Sequence, residues 1–266
     1  MKNFSALFLI FVASFGFAQS SKLDNKKTSN LDWLVSPFEQ KATITNEGQN
    51  IILNNGLVKR SFVIAPNVAC FDYTNLTNGQ QLIRSIEPEA KVVIDQITYK
   101  VGGLSGQKEK AYLQIDQIKN LQKADSDFVF SKYTIGKIEP FINWKPTTWL
   151  GNAKQPTGAR IDFEYVSPIA ALKNIIIKVH YEIYDGIPLI TKWISIQNNS
   201  NKSIKINRVV NEVLGLVEEE SAVVGKPEEM KKQHGIYVET NYAFNNAMRY
   251  DISDQTTHWK IDLAYT

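Results

Sequence analysis

The most regular pattern in the chain is a period of two. From Asn174 to Tyr184, Ile175, Ile177, Val179, Tyr181 and Ile183 alternate with Ile176, Lys178, His180, Glu182 and Tyr184. One face is apolar and the other mixed, which predicts a half-buried strand in an antiparallel sheet. Asp185-Gly186 turns the chain into a second strand from Ile187 to Gln197. Asn198-Asn199-Ser200-Asn201 turns it again into a third, Ser203 to Val210, so the three form a meander. Similar runs occur earlier. Ala42, Ile44 and Ile51-Ile52-Leu53 flank Asn46-Glu47-Gly48, and Asn54-Asn55-Gly56 is a strong turn signal before Leu57 to Ile64. Val68 to Tyr73, Lys91 to Asp95, Ile97 to Val101, Phe128 to Tyr133 and Ala159 to Tyr165 complete the set of predicted strands.

Only residues 108–123 read as helical. Ala111, Ile115, Ile118 and Leu121 or Gln122 recur near helical spacing, with Lys and Gln between them, predicting one amphipathic helix on a sheet. The expected class is therefore all-β, with one or two minor helices, built as a large antiparallel β-sandwich. No repeat or interdomain linker interrupts it. Residues 41–266 read as the sandwich domain, and 19–40 as a flexible or docking segment in which Leu31 to Val35 forms a short helix or strand. Trp259 to Thr266 alternates like a strand and then stops, as a terminal strand or a cut sandwich would.

The first residues carry a different signal. Lys2 precedes an apolar stretch from Ala6 to Phe17 that ends at the small residue Ala18. This is the layout of a secretory signal peptide over 1–18, cleaved near Ala18, and the stretch is too short to span a bilayer comfortably. The expectation is export to a periplasmic or extracellular location, with no transmembrane span.

Composition narrows the function classes. The chain has 266 residues, 30 Lys+Arg against 27 Asp+Glu, and a formal net charge of +3. That surplus is too small to point to nucleic acid. One cysteine excludes an intramolecular disulfide and a cysteine-based zinc cluster. Cys70 lies in the apolar run Val68 to Phe71 and reads as a buried, inert thiol. His180, His234 and His258 show no metal-ligand spacing, so no metal and no cofactor is expected. Ser105 has no nucleophile-elbow context, and Gly102 to Gly106 reads as a loop between strands. Glu218 to Glu220 and Glu228-Glu229 read as solvated charge runs, and Trp193 as core. No catalytic residue is assigned. Pro140 to Gly158 reads as a long loop in which Trp144 and Trp149 are the candidate carbohydrate-binding residues, because an exposed aromatic face can stack on a sugar ring.

The phrase from Val179 to Asn198, with the following Lys202 to Asn207, resembles the "YE-YDG-P-L-KW--I-N" meander of α-galactosidase-like proteins, relatives of glycoside hydrolase family 36. Asn55 to Phe62 is similar to the "NGLV-R-F" opening of the same amino-terminal β-supersandwich. The likeness covers roughly residues 50 to 217. It implies a galactose-mutarotase-like sandwich that accompanies a catalytic (β/α)8 barrel. A barrel needs about 250 residues of its own, and the sandwich uses those left after the signal. The barrel's aspartates have no counterpart here. Three readings follow. The chain is the supporting sandwich of a secreted hydrolase, touching glycan. Or it is a free-standing carbohydrate-binding protein. Or it is a sugar epimerase or polysaccharide lyase recruiting His180, His234, Glu182 and Tyr181.

Overall fold

The computed structural model describes residues 32–108, 111–140, 155–217 and 236–238. The expected signal segment, the strand-like alternation from Trp259 to Thr266 and both charge runs of glutamates lie outside them. The first sheet is a meander of β1 (Thr43–Glu47), β2 (Asn50–Asn54), β3 (Val58–Val63), β4 (Ala69–Asn75) and β5 (Gln80–Gln81), in that order. β6 (Ile83–Ser85), β7 (Ala90–Ile94) and β8 (Ile97–Val101) follow. The second large sheet joins β9 (Val129–Lys137), β10 (Gly158–Val166), β11 (Ile175–Tyr184) and β12 (Ile190–Asn198), with β11 and β10 central. β13 (Ile206–Val210) pairs with β7, and β14 (Gly215–Leu216) with β6. All strand pairs are antiparallel. The chain is an all-β sandwich, as its period-two pattern predicts.

The apolar phase of each strand makes the core. Ile161, Phe163 and Tyr165 of β10 and Ile175, Ile177, Val179, Tyr181 and Ile183 of β11 are all buried. They meet Ile51, Leu53, Val58 and Phe62 of the first sheet. Phe62 sits where the layers touch, its ring 5.3 Å from Phe163 and 5.1 Å from Tyr181. Tilted contacts of this kind add to simple burial.

Two turns quoted for the resemblance meet in space. Asn55, fully buried, accepts the N–H groups of Leu57 and Val58 at 3.0 and 2.9 Å. Its amide donates to the carbonyls of Tyr184 and Ile187 at 2.7 and 2.6 Å. All four of its hydrogen-bonding positions are thus used, and the β2–β3 turn is fastened to the β11–β12 turn. Asp185 at that second turn accepts the Ala42 N–H at 2.7 Å and the Thr157 hydroxyl at 2.6 Å. Between β7 and β8, Asp95 and Gln96 both have positive φ, the backbone of a two-residue hairpin turn.

Gly102 and Gly103 form the loop expected of them. Gly103 has φ +81, and a Cβ there would meet the Pro88 Cα at 2.7 Å, so a glycine is required. The long helix over 108–123 is not formed. Only Ile115–Asn120 is helical, as a 3-10 turn. Tertiary bonds decide this. The Leu113 N–H donates to the Arg84 carbonyl at 2.8 Å, and Gln107 holds the Ile86 N–H and the Ala111 carbonyl. These bonds tie Gln107 and Leu113 to β6 and the residue after it. Ile118 and Leu121 then dock on Val63, Ala69 and Ile86, while Ile115 stays exposed. Leu31 to Val35 also departs from expectation. From Asp32 on it is one hydrogen-bonded turn, with Leu34 and Val35 exposed.

Candidate functional site

Two polar clusters stand out, one on each side of the β9–β12 sheet. Their separation follows from the pleat: neighbouring residues on a strand face opposite ways. Tyr181 and Lys192 point inward as a cross-strand pair, and His180 and Trp193 point outward as the next.

The inner cluster is an ion-pair knot. Arg60 of β3 donates to Glu212 in a forked pair, 2.7 and 3.2 Å. Lys192 of β12 donates to the same carboxylate at 2.9 Å and to the Glu89 backbone carbonyl. The Glu89 carboxylate accepts the Tyr181 hydroxyl and, at 3.1 Å, the Cys70 N–H. Arg60 lies 4.9–5.2 Å from the ring centres of Phe62, Tyr73 and Tyr181. Two cations and two carboxylates balance where single charges would be untenable. Burial works to raise the Glu212 carboxyl, but Arg60 and Lys192 outweigh it and hold it below its usual 4.5. Cys70 is buried, as its apolar run predicts, and burial pushes its thiol up to about 12. In the folded chain at pH near 8 the thiol is expected to resist Ellman's reagent. Unfolding should release one reactive thiol per chain, and rapid reaction of the native protein would contradict this burial.

The outer face is arranged in rows across β10, β11 and β12. Arg160, Glu182 and Thr191 form one row, Asp162, His180 and Trp193 the next, and Glu164, Lys178 and Ser195 the third. Within it, His180 Nδ1 lies 2.7 Å from Asp162 Oδ1 and Nε2 lies 2.8 Å from Ser195 Oγ. The carboxylate selects the tautomer with Nδ1–H, so Nε2 accepts the serine hydroxyl. Arg160 forks onto Asp162 at 2.8 and 3.1 Å. The Trp193 indole stacks on the His180 ring, centres 4.9 Å apart and planes within 14°. Arg160 lies 5.2 Å from the same indole. Tyr184 donates to one Glu182 oxygen at 2.7 Å and lies 3.1 Å from Thr191 Oγ1. The other Glu182 oxygen is buried and has no hydrogen-bond partner.

Asp162, His180 and Ser195 stand in the order of a serine hydrolase relay. The backbone around Ser195 does not complete one. Bonds from Asn199 N–H to the Asn174 carbonyl and from Tyr184 N–H to the Leu189 carbonyl fix the phase of the β11–β12 ladder. In that phase Ser195 and Lys178 are a hydrogen-bonded pair. The Ser195 amide therefore serves the sheet and is not turned toward an oxyanion. The bonds from Asp162 and Ser195 hold the His180 ring upright beside Trp193.

Of the residues considered for epimerase or lyase chemistry, His180 and Glu182 share the outer face of β11, two positions apart. Tyr181 faces the core, on the other side of the sheet from His180 and Glu182. Ser105 bonds the Gln122 carbonyl in its loop at 3.1 Å. Trp193 is not core: it is partly exposed on the outer face, because its position is in phase with His180 and not with Tyr181. Trp144, Trp149, His234 and His258 lie outside the described residues. Among the described residues no group of His, Cys, Asp and Glu is placed to hold a metal ion, and no helix is long and apolar enough to cross a membrane.

Among the described residues, three carboxyls are held low in the folded chain. Burial works to raise each. Asp162 is lowered past this by His180 and Arg160, Asp185 by Thr157, the Ala42 N–H and Lys41, and Glu212 by its two cations. A depressed carboxyl adds stability above its unfolded value and loses it as pH falls through the folded value. The thermal midpoint is expected to drop between about pH 5 and about pH 3, less steeply in Glu212→Gln. A flat or rising midpoint over that interval would contradict the pairing.

No protein-family model matches the chain, and no curated protein matches it either.

Proposed function

We propose that this chain is the sandwich domain of a secreted α-galactosidase-like glycoside hydrolase, and that it supports a catalytic barrel without itself carrying out chemistry. The support for this reading is the state of its polar groups. Glu89, Glu212, Arg60 and Lys192 neutralise one another inside the sandwich. Asp162 is committed to Arg160 and His180, and His180 to Asp162 and Ser195. An acid and a base working on a sugar need to face a substrate across open space. Groups locked in reciprocal pairs hold a scaffold in place instead. The sequence resemblance supplies the family, and the antiparallel sandwich agrees with it at the level of fold class.

The test is activity with and without the barrel. The purified chain is expected to leave 4-nitrophenyl α-galactopyranoside untouched. The barrel encoded with it, expressed alone, is expected to be less soluble and less heat-stable than when the chain is supplied in the same cell. Hydrolysis by the chain alone, or a barrel indifferent to its presence, would refute the reading.

A further inference from the structure

We propose that the outer face of the small β13–β7–β8 sheet binds an acidic polysaccharide, one that carries a carboxylate or sulfate on successive rings. The location rests on the face itself. The choice of a glycan among polyanions rests on the exported, carbohydrate-linked reading above.

One side of these strands faces the core, where Ala90, Val92, Ile94, Tyr99 and Val101 are buried. The pleat sends the residues between them outward, and the register lines these up in two rows. Val210, Lys91 and Lys100 form one row, and Arg208, Val93 and Thr98 the other. Lys91 and Lys100 are therefore directly opposite each other. The two-residue turn at Asp95 and Gln96 makes Ile94 and Ile97 a hydrogen-bonded pair, and alternation from there makes Lys91 and Lys100 a non-hydrogen-bonded one. The Lys100 backbone agrees. Its carbonyl accepts the Phe128 N–H at 2.9 Å and its N–H donates to Asp127 Oδ1 at 3.4 Å, both away from β7. In such a pair the Cα atoms are about 4.5 Å apart and the side chains are at their closest. Arg208 is the diagonal neighbour of Lys91, about 7–8 Å off and within reach of a long side chain.

Like charges directly opposite on a sheet are destabilising. Lys91, Lys100 and Arg208 are not among the cations that pair with a carboxylate in the described residues. Asp127 lies beside Lys100, one acid against three cations. Asp95, at the turn, is taken by the Lys205 N–H at 3.0 Å. An anion laid on the face relieves the repulsion, and successive charges of a polyanion can meet the lysine pair and Arg208 together. The composition of the face favours a flexible chain over a folded partner. Protein interfaces are enriched in aromatic residues and depleted in lysine, whereas none of these six outward positions is aromatic and two are lysine. The net charge of +3 argues against nucleic acid as the polyanion.

The test is affinity electrophoresis of the full chain through gels holding polygalacturonate, heparin, galactomannan or DNA. Retardation by polygalacturonate or heparin is expected, fading as salt rises, with none by galactomannan. The two acidic gels separate carboxylate from sulfate. Lys91→Gln with Lys100→Gln is expected to weaken binding about tenfold or more. It should melt no lower than the unaltered chain, because it removes a repulsion, so the loss is not one of folding. Lys119→Gln with Lys123→Gln takes the same charge from exposed positions elsewhere and is expected to bind as the unaltered chain does. No retardation by either acidic glycan, equal retardation by galactomannan, tighter binding of DNA, or an equal loss in both double variants would overturn the face. The supporting role fails separately. Hydrolysis of 4-nitrophenyl α-galactopyranoside by the chain would sink that reading and leave the face standing.

Discussion

Replacing Arg60 with methionine is expected to destabilise the chain by about 3–5 kcal/mol. For a domain of this size that lowers the thermal midpoint by roughly 10 °C. The effect comes from what is left behind. Arg60 is nearly fully buried and neutralises Glu212 through a forked pair, with Glu89 3.9 Å away. Without it, two carboxylates face Lys192 alone. Removing one partner of a buried set strands the other charges, whereas removing a matched pair does not. The double variant Arg60→Met with Glu212→Gln is therefore expected to be more stable than Arg60→Met. Circular dichroism melts of the three proteins check the ordering. A double variant no better than the single one would mean that lost packing on Phe62, Tyr73 and Tyr181 dominates, and not the charge.

The second large effect is at Phe163. Its ring touches Phe62, Tyr181 and Phe130, with centres at 5.3, 6.1 and 6.2 Å. It is fully buried where the two large sheets meet. Phe163→Ala removes those contacts and leaves a cavity between layers that the strand ladders hold apart. A loss of about 3–5 kcal/mol is expected. Urea unfolding should show a lower midpoint at an unchanged slope. Phe163→Leu, which keeps most of the volume, should lose less. A loss below about 1 kcal/mol for the alanine variant would mean that the sheets close over the gap.

The strands were legible because burial on one face leaves a period of two. Asn174 to Tyr184 shows this: its apolar phase is the core face of β11, and its mixed phase carries His180 and Glu182. The turns were legible for a local reason. Asn55-Gly56 and Asp185-Gly186 combine side chains that bond backbone with glycines at positive φ. That these turns touch is a tertiary fact with no local mark. Residues 108–123 misled because Ala111, Ile115 and Ile118 sit near helical spacing whether or not the backbone is free to coil. Bonds joining Leu113 to Arg84 of β6 and Gln107 to Ile86 just after it overrode it.

The candidate site was half legible. Arg60 falls in the apolar phase of Val58 to Phe62, and Lys192 in that of Ile190 to Ile194. A charge in the inward phase of a strand is a signal for a buried pair. Glu89 and Glu212 lie outside any regular pattern, so the partners emerge only on folding. Its place on a predicted strand suggests a core position for Trp193. The alternation itself placed it opposite Lys192, and the cross-strand register then set it beside His180. Asp162 and Ser195 are unremarkable in sequence, and they matter because β10, β11 and β12 align in one register.

The most direct measurement is proton NMR of the purified chain with galactosides and freshly dissolved α-D-galactose, followed in time through the anomeric signals. It reads hydrolysis, epimerisation and anomer exchange together. A supporting sandwich leaves every rate at its buffer value. Acceleration of any of them, abolished by His180→Asn, would show that the paired groups of the outer face do chemistry and that the supporting role is wrong.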